Sequence, residues 1–344
     1  MKALVIPEAN SNWEIRDVPT PNILDEEVLI KIKASGLCYS DIHMSRGEWG
    51  NEFPIIPGHE PAGVIVAVGK RVIGLKIGDR VGLPWDQSGC GECSHCIQGK
   101  VEFCTDRKAT GVTVSGGCAE YLKAPARYVV RIPKEINFTQ AAPLFCAGYT
   151  VYGGLVHAGA SAGKTVAVLG IGGLGHLGIQ FAKAFGCRVI ALTRGDDKVE
   201  FSKKLGAHYV INVESTDWVG KVLNLGGADI ILAPTISSVH MSQAISALAP
   251  EGTLVVQGEA GDFNISTEEL IAGRKRIMGS VHGPRHLLSE SLEFAALHNI
   301  KPIIEEFSYR DFQKALNRLE NGHIRFRAVL KFNEESPEKS PLNR

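Results

Sequence analysis

The pattern of hydrophobic and polar positions changes its period near residue 146. Before that point, short apolar runs rich in β-branched residues alternate with glycine-containing turns, for instance at 28–33 and 63–69. Alternation with a period of two and an excess of valine and isoleucine are typical of β-strands. The chain up to about residue 145 is therefore predicted to form a barrel-like, mainly β domain.

Beyond residue 146, apolar strands alternate with helical patterns. Strands are predicted at 165–169, 188–192, 209–211, 229–232 and 252–256, and helices from the glycine-rich turn at 170–175 to Phe185, near 198–205 and at 237–248. Strands separated by helices pair in parallel, so this order predicts an α/β domain with a doubly wound parallel sheet.

The length of the chain fits two domains. A chain of 344 residues is too long for one ordinary hydrophobic core. We expect the β domain to cover 1–145 and 284–331 and the second domain to cover 146–283, with the chain returning near Gly283-Pro284. Residues 332–344 are polar and contain prolines, so they are predicted to form a mobile tail.

Composition and charge exclude several classes of function. Hydrophobic residues make up 44% of the chain and charged residues 22%, as in a globular protein outside a membrane. With 37 basic and 37 acidic residues the net charge is zero, so we expect no nucleic-acid or membrane-surface partner. The first residues lack a signal-peptide pattern and no apolar stretch would span a bilayer. We expect a cytoplasmic protein whose eight cysteines stay reduced.

The turn at 170–175 carries the spacing G-x-G-x-x-G between an apolar strand and a helix. This context places the pyrophosphate of a dinucleotide at the N-terminus of the helix, where backbone N–H groups and the helix dipole favour negative charge. The candidate cofactor-binding residues are Gly170, Gly172, Gly173, Leu174 and Gly175.

Four cysteines follow one another with the spacing C-x2-C-x2-C-x7-C, at Cys90, Cys93, Cys96 and Cys104. Tetrahedral zinc takes four thiolates at about 2.3 Å, and short glycine-containing loops present them from one side. Two disulfides are the alternative, which the lack of a secretory signal disfavours. Four thiolates complete the coordination of zinc, so this site is predicted to be structural.

A second set of candidate ligands is spread along the chain. Cys38, His59 and Cys146 form a Cys-His-Cys set that would leave the fourth position of a zinc ion for water or a substrate oxygen. Taken singly, each would be an ordinary buried cysteine or loop histidine. Together they predict a catalytic metal site.

The run Gly58-His59-Glu60, the four-cysteine lobe and the glycine turn resemble the zinc-dependent medium-chain alcohol dehydrogenases. The resemblance covers about residues 1–331. The sequence at 141–148 is most similar to the yeast and bacterial tetrameric branch. This resemblance favours a homotetramer over a dimer. For the fold, the resemblance implies a GroES-like catalytic domain and a Rossmann domain.

The resemblance also implies roles near the catalytic zinc. Cys38, His59 and Cys146 would ligate it, and Glu60 would lie close enough to exchange onto the metal. Asp41 would hold the ring of His59, as metal-bound imidazoles generally require.

A proton relay and a substrate pocket are implied as well. Ser40 would accept the alcohol proton and His43 would pass it to solvent through the cofactor ribose; a turn hydroxyl and an exposed histidine are the alternatives. Trp49 and Trp85 would line a pocket for a slim chain or a flat ring, although tryptophan also packs commonly in small β domains.

The cofactor preference depends on the end of the second strand. NAD enzymes of this fold place an acid there for the ribose 2′-hydroxyl, but this chain has Thr193-Arg194, which could bind a 2′-phosphate. We therefore favour NADP and leave NAD open, because Asp196 and Asp197 follow closely. By resemblance, the other cofactor contacts are Thr150, Lys198 and Arg327, the last at the pyrophosphate; an exposed strand residue is the alternative for Arg327.

We thus expect a zinc-dependent alcohol dehydrogenase or aldehyde reductase that uses two zinc ions and a nicotinamide dinucleotide and acts on a small-molecule alcohol or aldehyde. Polyol and formaldehyde dehydrogenases share this chemistry. A non-catalytic nucleotide-binding relative would typically lack the zinc ligands. A zinc-ribbon nucleic-acid binder is disfavoured by the zero net charge.

Overall fold

The computed structural model describes residues 1–215, 217–280 and 282–332. They form two compact units. The first comprises Met1–Phe145 and the chain from Ile304 onward, and the second comprises Cys146–Ile303.

The first unit is mainly β. Its strands are β1 (Lys2–Val5), β2 (Glu14–Asp17), β3 (Glu27–Leu37), β4 (Glu60–Val68), β5 (Arg80–Gly82), β6 (Asp86–Ser88), β7 (Lys108–Ala109), β8 (Tyr121–Pro125), β9 (Val130–Arg131), β16 (Ile304–Ser308) and β17 (Arg327–Lys331). Its α-helices are α1 (Tyr39–Ser45), α2 (Ser94–Ile97), α3 (Phe138–Pro143) and α11 (Phe312–Glu320), and short 3-10 turns cover Val101–Phe103, Ala126–Tyr128 and Tyr309–Asp311.

A seven-stranded sheet organises the first unit. Its strands lie in the order β16-β17-β3-β4-β5-β9, and β8 also pairs with β3. The central strand β3 alternates buried and less buried side chains over most of its length, with Val28, Ile30 and Ile32 in the core. The predicted β domain is confirmed.

The second unit contains the strands β10 (Thr165–Leu169), β11 (Arg188–Thr193), β12 (Tyr209–Asn212), β13 (Ala228–Ala233), β14 (Leu248–Val256) and β15 (Arg276–Gly279). They form one parallel sheet in the order β12-β11-β10-β13-β14-β15, and β10 is buried along its whole length. The order reverses beside β10, as in a doubly wound dinucleotide-binding fold.

Helices precede and connect these strands along the chain. They are α4 (Tyr149–His157), α5 (Gly175–Ala184), α6 (Val199–Leu205), α7 (Trp218–Leu223), α8 (Ser238–Ala244), α9 (Thr267–Gly273) and α10 (Arg285–Leu297), and a π-helical turn, Leu144–Gly148, precedes α4. The predicted α/β fold class, a Rossmann sheet with a GroES-like domain, is confirmed.

Two predicted boundaries differ from the structure. The chain returns to the first unit at Ile304 and not near Gly283-Pro284, because α10 packs against α4 within the second unit. The helix predicted at 237–248 ends at Ala244, and Leu248 already begins β14. In the first case a turn signal was taken for the return to the first unit, and in the second an apolar run was assigned to the wrong element.

One residue of the predicted tail, Phe332, lies among the described residues. Phe332 is buried and stacks on Tyr309, with the ring centroids 5.0 Å apart, so it belongs to the core. The remainder of the predicted tail, 333–344, lies outside the described residues. Within the described part of the chain, no helix has both the length and the apolar character needed to cross a membrane.

Candidate metal centres and cofactor site

The four residues of the predicted catalytic site converge. Ligand atoms of Cys38, His59, Glu60 and Cys146 all lie within 4.8 Å of one another. Cys38 is the N-cap of α1, and His59 leads directly into β4, which begins at Glu60. Cys146 lies on the π-helical turn and directly follows Phe145, the last residue of that stretch of the first unit.

The donor set fits a zinc ion. His59 is buried, and its Nε2 atom and Oε2 of Glu60 have no hydrogen-bond partner among the described residues. Burial alone would lower the pKa of His59, yet the charges of Asp41 and Cys38 raise that pKa well above its usual value. The surroundings therefore favour a positive charge beside Nε2, which a bound cation supplies in a set of two thiolates and an imidazole.

Asp41 orients two of the candidate ligands. Its Oδ1 atom accepts a hydrogen bond from Nδ1 of His59 at 3.2 Å, and its Oδ2 atom accepts one from the backbone N–H of Cys38 at 2.8 Å. A proton held on Nδ1 leaves the lone pair of Nε2 directed at the metal position. The contact between Asp41 and His59 is the one that the resemblance implies.

Glu60 is fully buried and paired with Arg327. Burial raises the pKa of Glu60 to about 7, against the lowering effect of the Arg327 guanidinium. Arg327 is itself buried and is not the exposed strand residue that the sequence also allowed. Glu60, one of its partners, is a carboxylate of the candidate metal cluster.

The two residues of the predicted relay lie on α1. Oγ of Ser40 is 3.6 Å from Sγ of Cys38, so the hydroxyl borders the metal cluster. His43 lies one turn further along, and its Nδ1 is 2.5 Å from Oε2 of Glu48. Sequence reasoning missed Glu48, since nothing in the pattern marks a glutamate in the loop after the helix.

The two predicted pocket tryptophans are in contact. Trp49 stacks near His43, with the centroids 5.6 Å apart, and its ring is edge-on to Trp85 at 5.7 Å. Trp85 is in turn edge-on to His59 at 4.8 Å. These rings form a continuous aromatic wall from the outer relay histidine to a candidate metal ligand.

The cysteine lobe forms a second candidate metal centre. The sulfur atoms of Cys90, Cys93, Cys96 and Cys104 lie within 4.8 Å of one another, and none forms a disulfide. Backbone N–H groups donate to three of the sulfurs at 3.3–3.4 Å, and such bonds lower the pKa of Cys90 to about 7. A Cβ atom at Gly89 would lie 2.6 Å from Sγ of Cys96, so glycine is required there. The lobe fits a tetrathiolate zinc site.

The glycine turn has the predicted context, between β10 and α5. Gly170 has a φ angle of +101°, which favours glycine, and a Cβ atom at Gly175 would collide with the carbonyl oxygen of Gly170. Gly172 has open space where a side chain would begin. Gly173 and Leu174 complete the turn, and Leu174 is the N-cap of α5.

A cavity of about 170 Å³ opens beside this turn, at the carboxyl ends of four neighbouring strands. Arg194 and Lys198 line it together with Gly170 and Gly172. His240 also lines it, from the first turn of α8. The sequence analysis missed His240, although its place just after β13 was a usable signal.

The two threonines predicted to contact the cofactor are both buried. Thr193 is completely buried, does not line the cavity and directs its hydroxyl to the carbonyl of Arg194 at 3.4 Å. The expected contact of Thr193 with a phosphate stays a prediction. The end of β11 simply points this side chain into the unit. Thr150 is buried on α4, where its carbonyl accepts a hydrogen bond from Gln257 at 2.6 Å.

Comparison with known proteins agrees with this geometry. The alcohol dehydrogenase GroES-like domain matches residues 24–134, and the zinc-binding dehydrogenase domain matches residues 173–296. An alcohol dehydrogenase of Geobacillus stearothermophilus is 39% identical over 339 residues, which cover 97% of this chain and 100% of that protein. The chain belongs to the zinc-dependent medium-chain alcohol dehydrogenases.

Solved structures of related dehydrogenases carry nicotinamide cofactors. The Helicobacter pylori enzyme CAD, complexed with NADP(H), has a TM-score of 0.85 and 28% identity, with 96% of this chain and 97% of that chain covered. Acetophenone reductase from Geotrichum candidum, in complex with NAD, has a TM-score of 0.86 and 26% identity, with 96% of each chain covered. As a member of this dehydrogenase family, the chain is an oxidoreductase that uses zinc and a nicotinamide cofactor.

Proposed function

We propose that the cluster of Cys38, His59, Glu60 and Cys146 binds the catalytic zinc of a reversible dehydrogenase for primary alcohols and aldehydes. The observation that carries this proposal is the approach of four ligand atoms to within 4.8 Å around a buried imidazole nitrogen. Cys38, His59 and Cys146 would be the resting ligands and Glu60 an exchanging one. The lobe cysteines would hold a second, structural zinc.

Zinc in the open site would supply a Lewis acid that lowers the pKa of an alcohol and polarises an aldehyde carbonyl. The chain's own groups have distinct tasks. Asp41 keeps the proton of His59 on Nδ1, and Ser40, beside Cys38, accepts the proton of the alcohol hydroxyl. His43, paired with Glu48, then receives that proton near solvent.

The glycine turn and the adjoining cavity form the proposed cofactor site. The amide groups at the start of α5 would bind the pyrophosphate, with Arg327 and Thr150 as further contacts. Arg194 and Lys198 place two cations in the cavity at the ends of the strands, which supports NADP over NAD. Asp196 and Asp197 leave NAD as the second candidate.

The aromatic wall supports unbranched primary substrates. Two indole rings beside the candidate metal ligands would contact an alkyl chain or a flat aromatic ring better than a branched secondary alcohol. A polyol dehydrogenase would need polar groups at this wall to pair with several hydroxyls. We further propose a cytoplasmic homotetramer, as in the branch that residues 141–148 resemble.

Initial rates test the proposal directly. The zinc-loaded protein should be assayed with NADP and with NAD against primary alcohols, secondary alcohols, polyols and aldehydes. The proposal expects the highest kcat/KM with NADP(H) and a primary alcohol or its aldehyde. Highest activity with a polyol would support the second candidate function, and cofactor binding without turnover of any substrate would contradict catalysis. Light scattering of the purified protein would give the number of subunits.

A further inference from the structure

Two side chains of α5 contact a backbone segment near the end of the second unit. His176 and Gln180 lie one helical turn apart, so they share one face of the helix. Both reach the segment 301–303, which directly precedes β16. His176 also follows the glycine turn immediately. The same helix face therefore contacts the segment 301–303 and, through His176, the candidate cofactor turn.

The hydrogen bonds of His176 fix its protonation state. The backbone N–H of Ile303 donates to Nε2 at 3.1 Å, so that nitrogen accepts. Nδ1 lies 3.0 Å from the carbonyl oxygen of Gly172, which can only accept, so Nδ1 carries the proton. The ring is completely buried and neutral, and neither bond can form in the other tautomer.

Gln180 holds the same segment through both ends of its amide. Its Oε1 accepts from the N–H of Lys301 at 3.1 Å, and its Nε2 donates to the carbonyl of Lys301 at 3.0 Å. Together with the bond from Ile303, three hydrogen bonds anchor this segment on α5. The anchored segment then fixes the ring of His176.

Gly172 is the point at which this arrangement meets the cofactor site. Its carbonyl accepts from both Nδ1 and the backbone N–H of His176, the latter at 3.1 Å, while the position of its missing side chain is open. Glycine has many accessible conformations, so an isolated glycine turn loses much entropy when a ligand orders it. Two hydrogen bonds on one carbonyl reduce that loss before the ligand arrives.

We propose that His176 is a positioning residue for the nicotinamide cofactor, which presets the Gly172 peptide through Nδ1–H while the backbone of Ile303 fixes its ring. The inference rests on the proposed cofactor site at 170–175. His176 takes no part in the proposed hydride or proton transfer. The inference assigns to this buried histidine a measurable share of the affinity for the dinucleotide.

Substitutions of His176 distinguish the hydrogen bond made by Nδ1 from the one made by Nε2. H176F keeps an aromatic ring but makes neither bond, H176N retains a donor at the position of Nδ1, and H176Q retains an acceptor near the position of Nε2. H208F is the matched control, because His208 also accepts a backbone N–H in the second unit, from Val189 at 2.9 Å, but contacts no residue of the turn.

The measurements are fluorescence titrations of the zinc-loaded proteins with NADPH and NADH, steady-state KM and kcat, and thermal midpoints. In H176F we expect the dissociation constant of the preferred cofactor to rise about tenfold, as for the loss of one buried hydrogen bond, with a larger effect on the cofactor KM than on kcat. H176N should return to within about threefold of the parent. H208F should change only the thermal midpoint.

Equal cofactor affinity in H176F and H208F would overturn the inference, as would equal affinity in H176N and H176Q. If H176F does not fold, the comparison of cofactor affinity in H176N and H176Q still tests the inference. A parent protein that binds neither NADPH nor NADH would instead contradict the proposed cofactor site, so the two failures can be told apart.

Discussion

A single carboxylate at the start of α1 sets the geometry of two candidate zinc ligands. Asp41 accepts from the backbone of Cys38 and from the ring of His59, and it is almost completely buried. A buried carboxylate is costly unless such donors satisfy it. The short spacing between Cys38 and Asp41 therefore builds a supporting interaction into the same helix turn that presents a metal ligand.

Ser40 allows proton transfer to be separated from metal binding. S40A removes the hydroxyl next to Cys38 but no ligand, so zinc content and cofactor affinity should remain at parental values. The turnover number should fall by about a hundredfold, the usual contribution of a positioned proton-transfer group.

S45A is the matched control for this prediction. Ser45 lies on the same helix and donates to the carbonyl of Ile42 at 2.8 Å, away from the metal cluster. Stopped-flow and steady-state rates with a primary alcohol would make the comparison. Near-parental turnover in S40A with full zinc occupancy would show that the alcohol proton leaves by another path.

Asp86 gives a prediction for pH. Burial raises its pKa from 3.8 to about 6, although Arg107 lies 3.6 Å away and lowers it. A carboxyl whose pKa is raised by folding favours the folded state at low pH, and this contribution is lost as the pH rises through about 6. At neutral pH the ionised Asp86 therefore destabilises the fold.

D86N removes this titration. The free energy of unfolding of D86N relative to the parent should increase by about 1 kcal/mol between pH 5 and pH 8, mostly below pH 7. Thermal unfolding at several pH values, with zinc content checked at each, provides the measurement. D79N, at an aspartate whose Oδ2 atom pairs with Arg131 at 3.2 Å, serves as a control. A difference that does not vary with pH would contradict the assigned pKa.

At the scale of residues, sequence reasoning named the candidate ligands but not all of their neighbours. Cys38, His59 and Cys146 could be named because zinc restricts its ligands to a few residue types. Glu48 and His240 carry no such restriction, and only the folded backbone brings them to the relay and to the cavity. The burial of Thr193 was not predicted, because side-chain direction at a strand end is not visible in the sequence.

Among the elements, the cysteine lobe depends on its metal more than the sheets do. Cys90, Cys93 and Cys96 are only partly buried, and α2 has no buried residue, so the lobe has little core of its own. In C104A three thiolates would bind zinc poorly. We expect the thermal midpoint to fall by about 10 °C and the zinc content to fall by one ion.

Cys118 supplies the control for the lobe prediction. It is completely buried in the first unit but belongs to neither metal cluster, so C118A should lose packing and no zinc. Calorimetry combined with metal analysis distinguishes the two variants. If C104A melts like the parent, the lobe has been misinterpreted.

The strand β11 and its following loop should decide the cofactor preference. R194A removes one cation from the cavity at 170–172, so the ratio of kcat/KM for NADPH to that for NADH should fall by about tenfold to a hundredfold. R276A, at an arginine of the second unit that contacts the carbonyl of Glu251, is the control. An unchanged ratio would remove Arg194 from the phosphate site.

The elements themselves were largely predictable, and their ends were not. Strand β10, the glycine turn and α5 follow from an apolar run, a spacing of glycines and a helical period. The region 237–248 was predicted as one helix because its apolar residues continue into β14, and period alone does not mark where a helix stops.

At the scale of the molecule, the return of the chain to the first unit was predicted too early in the sequence. Gly283-Pro284 is a strong turn signal, yet α10 follows it and packs on α4 before the chain returns at Ile304. A turn signal shows that an element ends and not which unit the next element joins. The first unit's first stretch ends at Phe145, where the period of the pattern changes.

The whole protein should contain two zinc ions of unequal accessibility. Titration with a mild chelator should remove one ion together with activity, while the second ion should remain until the protein unfolds. Metal analysis and activity measured on the same samples make this test. One ion per chain, or none, would contradict the assignment of two centres.

The spacing of the ligands along the chain has a consequence for biosynthesis. The lobe cysteines emerge from the ribosome almost together, whereas about a hundred residues separate Cys38 from Cys146. At roughly 5–20 residues per second, the last catalytic ligand follows the first by about 5 to 20 s. The lobe can therefore acquire its ion on the nascent chain, while the incomplete Cys38 and His59 pair remains open to other thiol-seeking metals such as copper(I). Cells with scarce zinc should accordingly accumulate protein that is folded at the lobe but wrongly metallated at the catalytic centre.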